Sequence, residues 1–163
     1  MHGAAPSGGA GATSYDNPLG QGNRTTLITV TTSSTWLDGY KLGGAMSAWV
    51  NGNTSTFQTW FQDGYKEITV KFDLLTAHVI DEYTLYSDES YGSWGASWQW
   101  AGSNDDAAWT PIGPAFNPHG TTAGEIRTEL DGNTTAYRYY RMLSNSSFIH
   151  VNRCREFEFK VSA

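Results

Sequence analysis

Cysteine is nearly absent: Cys154 stands alone in 163 residues, which excludes an intrachain disulfide. It lies in an alternating run, so a buried, inert thiol is expected. A reactive nucleophile would want a paired histidine, and His150 four residues away does not supply one. Charge is scarce too. Only 16% of residues are charged, the formal net charge is −6, and the 10 basic residues form no run. That disfavours nucleic acid, whose phosphates need a clustered basic face, and an anionic membrane surface, leaving a neutral or weakly polar ligand. No apolar run approaches the roughly 20 residues that span a bilayer, so no membrane insertion is expected. The opening MHGAAPSGGAGATS lacks the apolar stretch of a signal peptide. Its Gly, Ala and Ser content predicts a flexible linker over residues 1–14 ahead of a single domain over 15–163. A module of a larger protein, or one made without Sec export, is expected on that basis.

The signatures of catalysis are missing as well. There is no G-x-S-x-G elbow, no H-E-x-x-H pair, and no metal spacing among the 4 histidines. Gly20-Gln21-Gly22 and Gly43-Gly44 lack the following helix and Lys of a phosphate loop, so they read as flexible loop. A hydrolase needs paired carboxylates or a nucleophile–base pair in a pocket. The acids here fall mostly at turns or on the polar side of strands, where solvation and turn hydrogen bonds account for them. The chain is not expected to be an enzyme.

What the chain has in quantity is aromatic side chains, 14% of residues, and 18 glycines. With many Thr, Ser and Asn, this composition favours strands and turns over helix. Alternation predicts strands over 27–32, 66–74, 79–86, 125–130, 137–143 and 155–161. In 66–74, Ile68, Val70 and Phe72 share a face; in 79–86, Ile80 competes with the Tyr83/Leu85 pair for the core side. Trp98 and Trp100 share one face of a further strand, Asn104-Asp105-Asp106 turns the hairpin, and Trp109 opens the return strand toward Ile112. Residues 41–58, carrying Trp49, and 114–124 read as long loops. About eight short strands and no helix predict an antiparallel sandwich or jelly roll.

The rings divide by context. Trp98, Trp100, Trp109, Tyr83, Tyr139, Phe157 and Phe159 occupy alternating strand positions and are expected in the core. Others lie in or beside loops, where a ring next to Asn, Arg or His can stack on the apolar face of a sugar. Connections at one end of a jelly roll alternate with those at the other, which groups loops 36–49, 87–97, 116–120 and 144–153. Within them Trp36, Tyr40, Trp49, Tyr91, Trp94, His119, Asn145, Phe148, His150 and Arg153 are the candidate ligand contacts.

SWQWAGSNDDAAWTPIG resembles the W-x-x-x-G-S-N-D-G-x-x-W-x-x-I signature of discoidin domains, also called coagulation factor V/VIII type C domains, of the galactose-binding-like superfamily. Family 32 carbohydrate-binding modules belong there too. WLDGY resembles the early acidic-glycine turn, KEITVKFDL the strand usually ending Asp-Leu-Gly, AYRYYRML the R-Y-x-R-hydrophobic strand, and REFEFKV the closing strand. These five pieces, in order, cover about residues 25 to 162. The resemblance implies an eight-stranded antiparallel jelly-roll sandwich that binds ligand on loops at one end, often around a structural calcium ion. Asp38 matches the turn acid of that metal site and Glu156 the closing-strand acid; a turn-capping Asp and an exposed strand Glu are the alternatives. Ser47-Ala48-Trp49 and the segment from Thr56 to Trp60 both approximate the family's Thr-x-Trp element, and its ligand-binding His, Arg and Asn have no clear counterpart. The disulfide joining the ends in blood-protein members is missing, which points toward microbial or viral modules.

The expectation is a non-catalytic carbohydrate-binding module attaching a larger, multimeric protein to cell-surface glycan or polysaccharide. A phage tail fibre, another virion protein or a modular glycosidase would be its parent, and the extracellular space or virion surface its location. The rival is a structural or protein-interaction jelly roll without sugar binding.

Overall fold

The computed structural model describes residues 15, 17–33, 42–43, 45–55, 59–61, 68–87, 97–117, 124–144 and 152–162. Its strands are β1 (Thr29–Thr32), β2 (Leu42–Gly43), β3 (Thr59–Phe61), β4 (Thr69–His78), β5 (Ile80–Ser87), β6 (Trp98–Ser103), β7 (Thr110–Phe116), β8 (Glu125–Arg127), β9 (Tyr137–Ser144) and β10 (Asn152–Val161). A single 3-10 turn, Met46–Val50, is the helical element among the described residues. The strands make two five-stranded sheets, ordered β1-β4-β9-β6-β7 and β2-β3-β10-β5-β8. All pairings are antiparallel. The protein is thus the all-β jelly-roll sandwich that the sequence predicts, and the two strands beyond the expected eight are the short pieces β2 and β3, of two and three residues.

The core follows from alternation. Val70, Phe72 and Leu74 of β4 point inward while Lys71 and Asp73 point out, and Phe157 and Phe159 do the same in β10. Trp98 and Trp100 are both fully buried. Phe72 meets Phe159 edge-on with centroids 5.1 Å apart, and Tyr83 meets Trp100 at 5.2 Å, both in the separation range where tilted rings attract beyond their burial. Each ring removed from water contributes about 1.5–3 kcal/mol.

Three local readings change. Ile80, Tyr83 and Leu85 do not compete, because a register irregularity opposite Lys160/Val161 lets all three face inward. In β9 the buried ring is Tyr140, paired opposite Phe72, whereas Tyr139 pairs opposite Asp73 and lies on the outer face, only partly buried. Trp109, placed just before β7, is likewise partly exposed and outside the core cluster. Both were expected inside.

The chain-reversal end opposite the loops of interest is tied down. The Tyr140 hydroxyl donates to the His78 carbonyl at 2.8 Å and accepts from the Ile80 N–H and Asn133 Nδ2, both at 3.1 Å. Burial pushes its pKa up to about 12. Nearby, Gly113 takes φ 63°, and a Cβ there would meet the Glu129 carbonyl oxygen at 1.9 Å, so only glycine fits.

Candidate functional site

Strand register decides which ends lie together. Thr32 at the end of β1 pairs with Val70, Leu143 of β9 pairs with Thr69, and Trp98 pairs with both Ser144 and Phe116. In the other sheet Asn152 pairs with Phe61 and Cys154 with Ser87. These positions form one rim of each sheet. The chain passes between the rims at 62–67, 88–96, 118–123 and 145–151, which lie outside the described residues, as do 34–41. Trp36, Asp38, Tyr40, Tyr91, Trp94, His119, Asn145, Phe148 and His150 fall in these segments, so their placement is outside the described residues.

Two of the expected ligand contacts are described, and one of them is corrected. Trp49 is fully buried and stacks on Phe157 at 5.4 Å, because the 3-10 turn lays its apolar side on β10. A ring with no exposed face cannot stack on a sugar, so Trp49 belongs to the core. Arg153 sits half-buried on β10, paired opposite Trp60 of β3, at the rim. Cys154 beside it is fully buried, and burial pushes its thiol well above the ordinary range, which makes it inert.

Glu156, expected as a metal ligand with an exposed strand acid as the alternative, is not exposed. Its side chain is wholly buried and ion-paired with the guanidinium of Arg24, itself 1% exposed. The other carboxylate oxygen accepts the Gly52 N–H at 3.0 Å. Arg24 is held in turn by backbone carbonyls: Nε donates to Gly22 at 2.9 Å, and Nη1 to Leu19 at 3.0 Å and to Gly20. The Gly20-Gln21-Gly22 stretch, expected to be flexible, is therefore a cradle for a cation, and the cation is a side chain. Gly52 holds φ 83°, and a Cβ on it would come within 2.7 Å of Gly22, so glycine lets the two loops close over the carboxylate.

This arrangement does not fit calcium at Glu156. The guanidinium lies where the carboxylate and the carbonyl oxygens converge, and its charge opposes a second cation there. Burial pulls the Arg24 pKa down only to about 10, so it stays charged at neutral pH. No cluster of three or more metal-ligating side chains occurs among the described residues. Glu158, one pleat along, is also buried, and burial raises its pKa against the lowering effect of Arg24 and of the Tyr86 hydroxyl bonded to it at 3.3 Å.

The outer face of the β1-β4-β9-β6-β7 sheet gathers a different set. Register aligns Thr31, Lys71, Arg141 and Ala101 across four strands. The Arg141 guanidinium carbon lies 4.2 Å from the centroid of the Trp109 ring. Lys71 reaches Asp106 at 2.5 Å and stands 5.7 Å from the Tyr139 ring, which Arg138 covers at 4.8 Å. Arg138 is bidentate to Asp73, at 2.8 and 2.9 Å, and holds that carboxyl below the usual range. Sequence reasoning missed this face because alternation alone assigned Tyr139 and Trp109 to the core.

No family model and no curated protein sequence matches the chain. Solved structures do. A family 32 carbohydrate-binding module of Clostridium perfringens NanJ, in complex with galactose, aligns with TM-score 0.62 at 10% identity, covering 83% of this chain and 94% of that one. The C-terminal domain of a chitobiase from Bacteroides fragilis aligns at 0.62 and 14% identity, covering 85% and 95%. A pectin-binding carbohydrate-binding module aligns at 0.54 and 16% identity, covering 84% and 92%. The fold is that of the discoidin-like, galactose-binding-like domains. The discoidin-like hairpin explains one departure from the signature: where the signature has glycine, Asp106 takes φ 58°, a left-handed conformation that Asp tolerates better than most residues. Asp105 anchors that turn by accepting the Ala107 and Ala108 N–H groups, which hold its carboxyl below the ordinary range.

Proposed function

We propose that this domain is a non-catalytic carbohydrate-binding module that attaches a larger protein to a cell-surface glycan or polysaccharide. The observation that carries the reading is the likeness, over more than four-fifths of the chain, to modules solved with galactose or named for binding pectin. Ligand contact falls to the rim where the strand ends converge, through Trp36, Tyr40, Tyr91, Trp94, His119, Asn145, Phe148, His150 and Arg153. The acids support a binding rather than a hydrolytic role: Glu156 is committed to Arg24 and Asp73 to Arg138, leaving neither poised as an acid or a base. Shallow sugar sites bury little area and order side chains, so each site binds weakly and useful affinity comes from repetition in a multimeric parent. An extracellular or virion-surface setting, in a tail fibre or a modular glycosidase, fits that logic.

Burial of Trp49 favours the rival, a structural or protein-interaction domain, at that one position. A glycan array separates the two. Binding of at least one glycan, weakened at least tenfold by Trp94→Ala, is expected. No binding to any glycan, with host-surface attachment unchanged in that variant, would leave the structural reading in its place.

A further inference from the structure

We propose a second recognition site on the outer face of the β1-β4-β9-β6-β7 sheet, bordering the rim at Thr69, which takes an acidic oligosaccharide built of uronic acid residues. A groove of about 350 Å³ runs over this face, lined among others by Thr31, Thr69, Lys71, Asp106, Trp109 and Arg141. Its size lies toward the lower end of the roughly 300–1,000 Å³ of small-ligand sites, enough for a short saccharide.

Three observations point to that ligand class. The first is charge: the groove holds two cations and one carboxylate, on a chain whose formal net charge is −6. Anions are drawn to such a local reversal of sign. The second is geometry. The Arg141 guanidinium carbon lies 4.2 Å from the Trp109 centroid, a cation–π contact that restrains the side chain before a carboxylate arrives. Lys71, directly across the ladder from Arg141, supplies a mobile point charge. Its pair with Asp106 lies at the surface, where such pairs hold weakly and a ligand carboxylate can share the ammonium. The third is what surrounds the charges. The partly exposed Trp109 offers ring surface to the apolar face of a sugar, and Thr31 and Thr69 on neighbouring strands offer hydroxyls at sheet spacing. The neutral or weakly polar ligand suggested by overall composition is therefore not the one this face suits, because net charge does not report where the charges sit.

The test is calorimetric titration of the domain with trigalacturonate and with the same oligosaccharide after reduction of its carboxyl groups. Trigalacturonate is expected to bind, with affinity falling as sodium chloride is raised. Arg141→Gln should weaken it at least tenfold and Lys71→Gln several-fold, with melting temperatures near the parent's and Trp94→Ala leaving it unchanged. Equal binding of the reduced oligosaccharide, unchanged affinity in both charge variants, or no binding of trigalacturonate overturns the site. Loss in Trp94→Ala with retention in Arg141→Gln also overturns it, while placing acidic-sugar binding at the rim and leaving the proposed function intact.

Discussion

On the outer side of the β2-β3-β10-β5-β8 sheet, Glu156 and Glu158 are buried under the N-terminal segment. Leu19 accepts the Phe159 N–H, Asn17 donates to the Phe159 carbonyl at 3.1 Å, and Arg24 closes on Glu156. On the outer side of the other sheet, Lys71, Arg138 and Arg141 stay partly exposed among Tyr139 and Trp109. One face is acidic and sealed; the other is basic, aromatic and open. The same residue type serves opposite ends: Arg24 is a structural cation locked by three carbonyls and a carboxylate, while Arg141 is partly exposed beside the Trp109 ring. Burial, rather than residue identity, separates scaffold from recognition surface.

Breaking the sealed face should have the largest effect. Arg24→Met leaves the buried Glu156 carboxylate without its counter-charge, a loss of about 3–5 kcal/mol, measurable by urea unfolding. Adding Glu156→Gln should recover a large part of that loss, since the charge is then gone. The tryptophans come next: Trp100→Ala should cost about 3–5 kcal/mol as a core cavity, but Trp109→Ala only about 1 kcal/mol, mostly its contact with Arg141. Equal losses would erase the distinction between the core and the basic outer face.

The pH dependence should differ in sign between them. Asp73 has its folded pKa lowered by Arg138, so its stabilisation is present above the unfolded carboxylate value of roughly 3.9 and is lost as pH falls through the folded value. Glu158 has its pKa raised by burial, so its contribution weakens as pH rises from roughly 4.3 through the raised value. Thermal melts from pH 2 to 7 should show the acid-side loss reduced in Asp73→Asn and the opposite slope reduced in Glu158→Gln. The smallest effect is the most pointed: any change in melting temperature on adding a chelator should be the same in the parent and in Arg24→Met/Glu156→Gln, because Arg24 already neutralises Glu156.

Fold and scaffold were largely legible in the sequence. Trp98/Trp100 and Phe157/Phe159 keep strict two-residue spacing, and both pairs are buried. Legibility failed where the pattern carried rings at both parities. In Tyr137-Arg138-Tyr139-Tyr140, alternation cannot choose, and the cross-strand partner Phe72 decides for Tyr140. At Trp109 the ring precedes the strand, so its side is set by the hairpin turn rather than by strand alternation. Arg24 gave no local signal, since its carboxylate partner lies 132 positions away (156 − 24) and only folding joins them. Of the rim candidates, Trp49 was misjudged because loop composition says nothing about a 3-10 turn folding onto a core strand.

We propose that recognition belongs to the rim and the basic face, and support to the acidic one. An amide and side-chain NMR titration with a glycan the domain binds tests it most directly. Shifts are expected at residues of the rim, or at Lys71, Trp109 and Arg141, with the Arg24, Gly52 and Glu156 signals unmoved. Shifts centred on Arg24 and Glu156, or none at the rim and the basic face, would instead make the acidic face the recognition surface or leave neither face with that role.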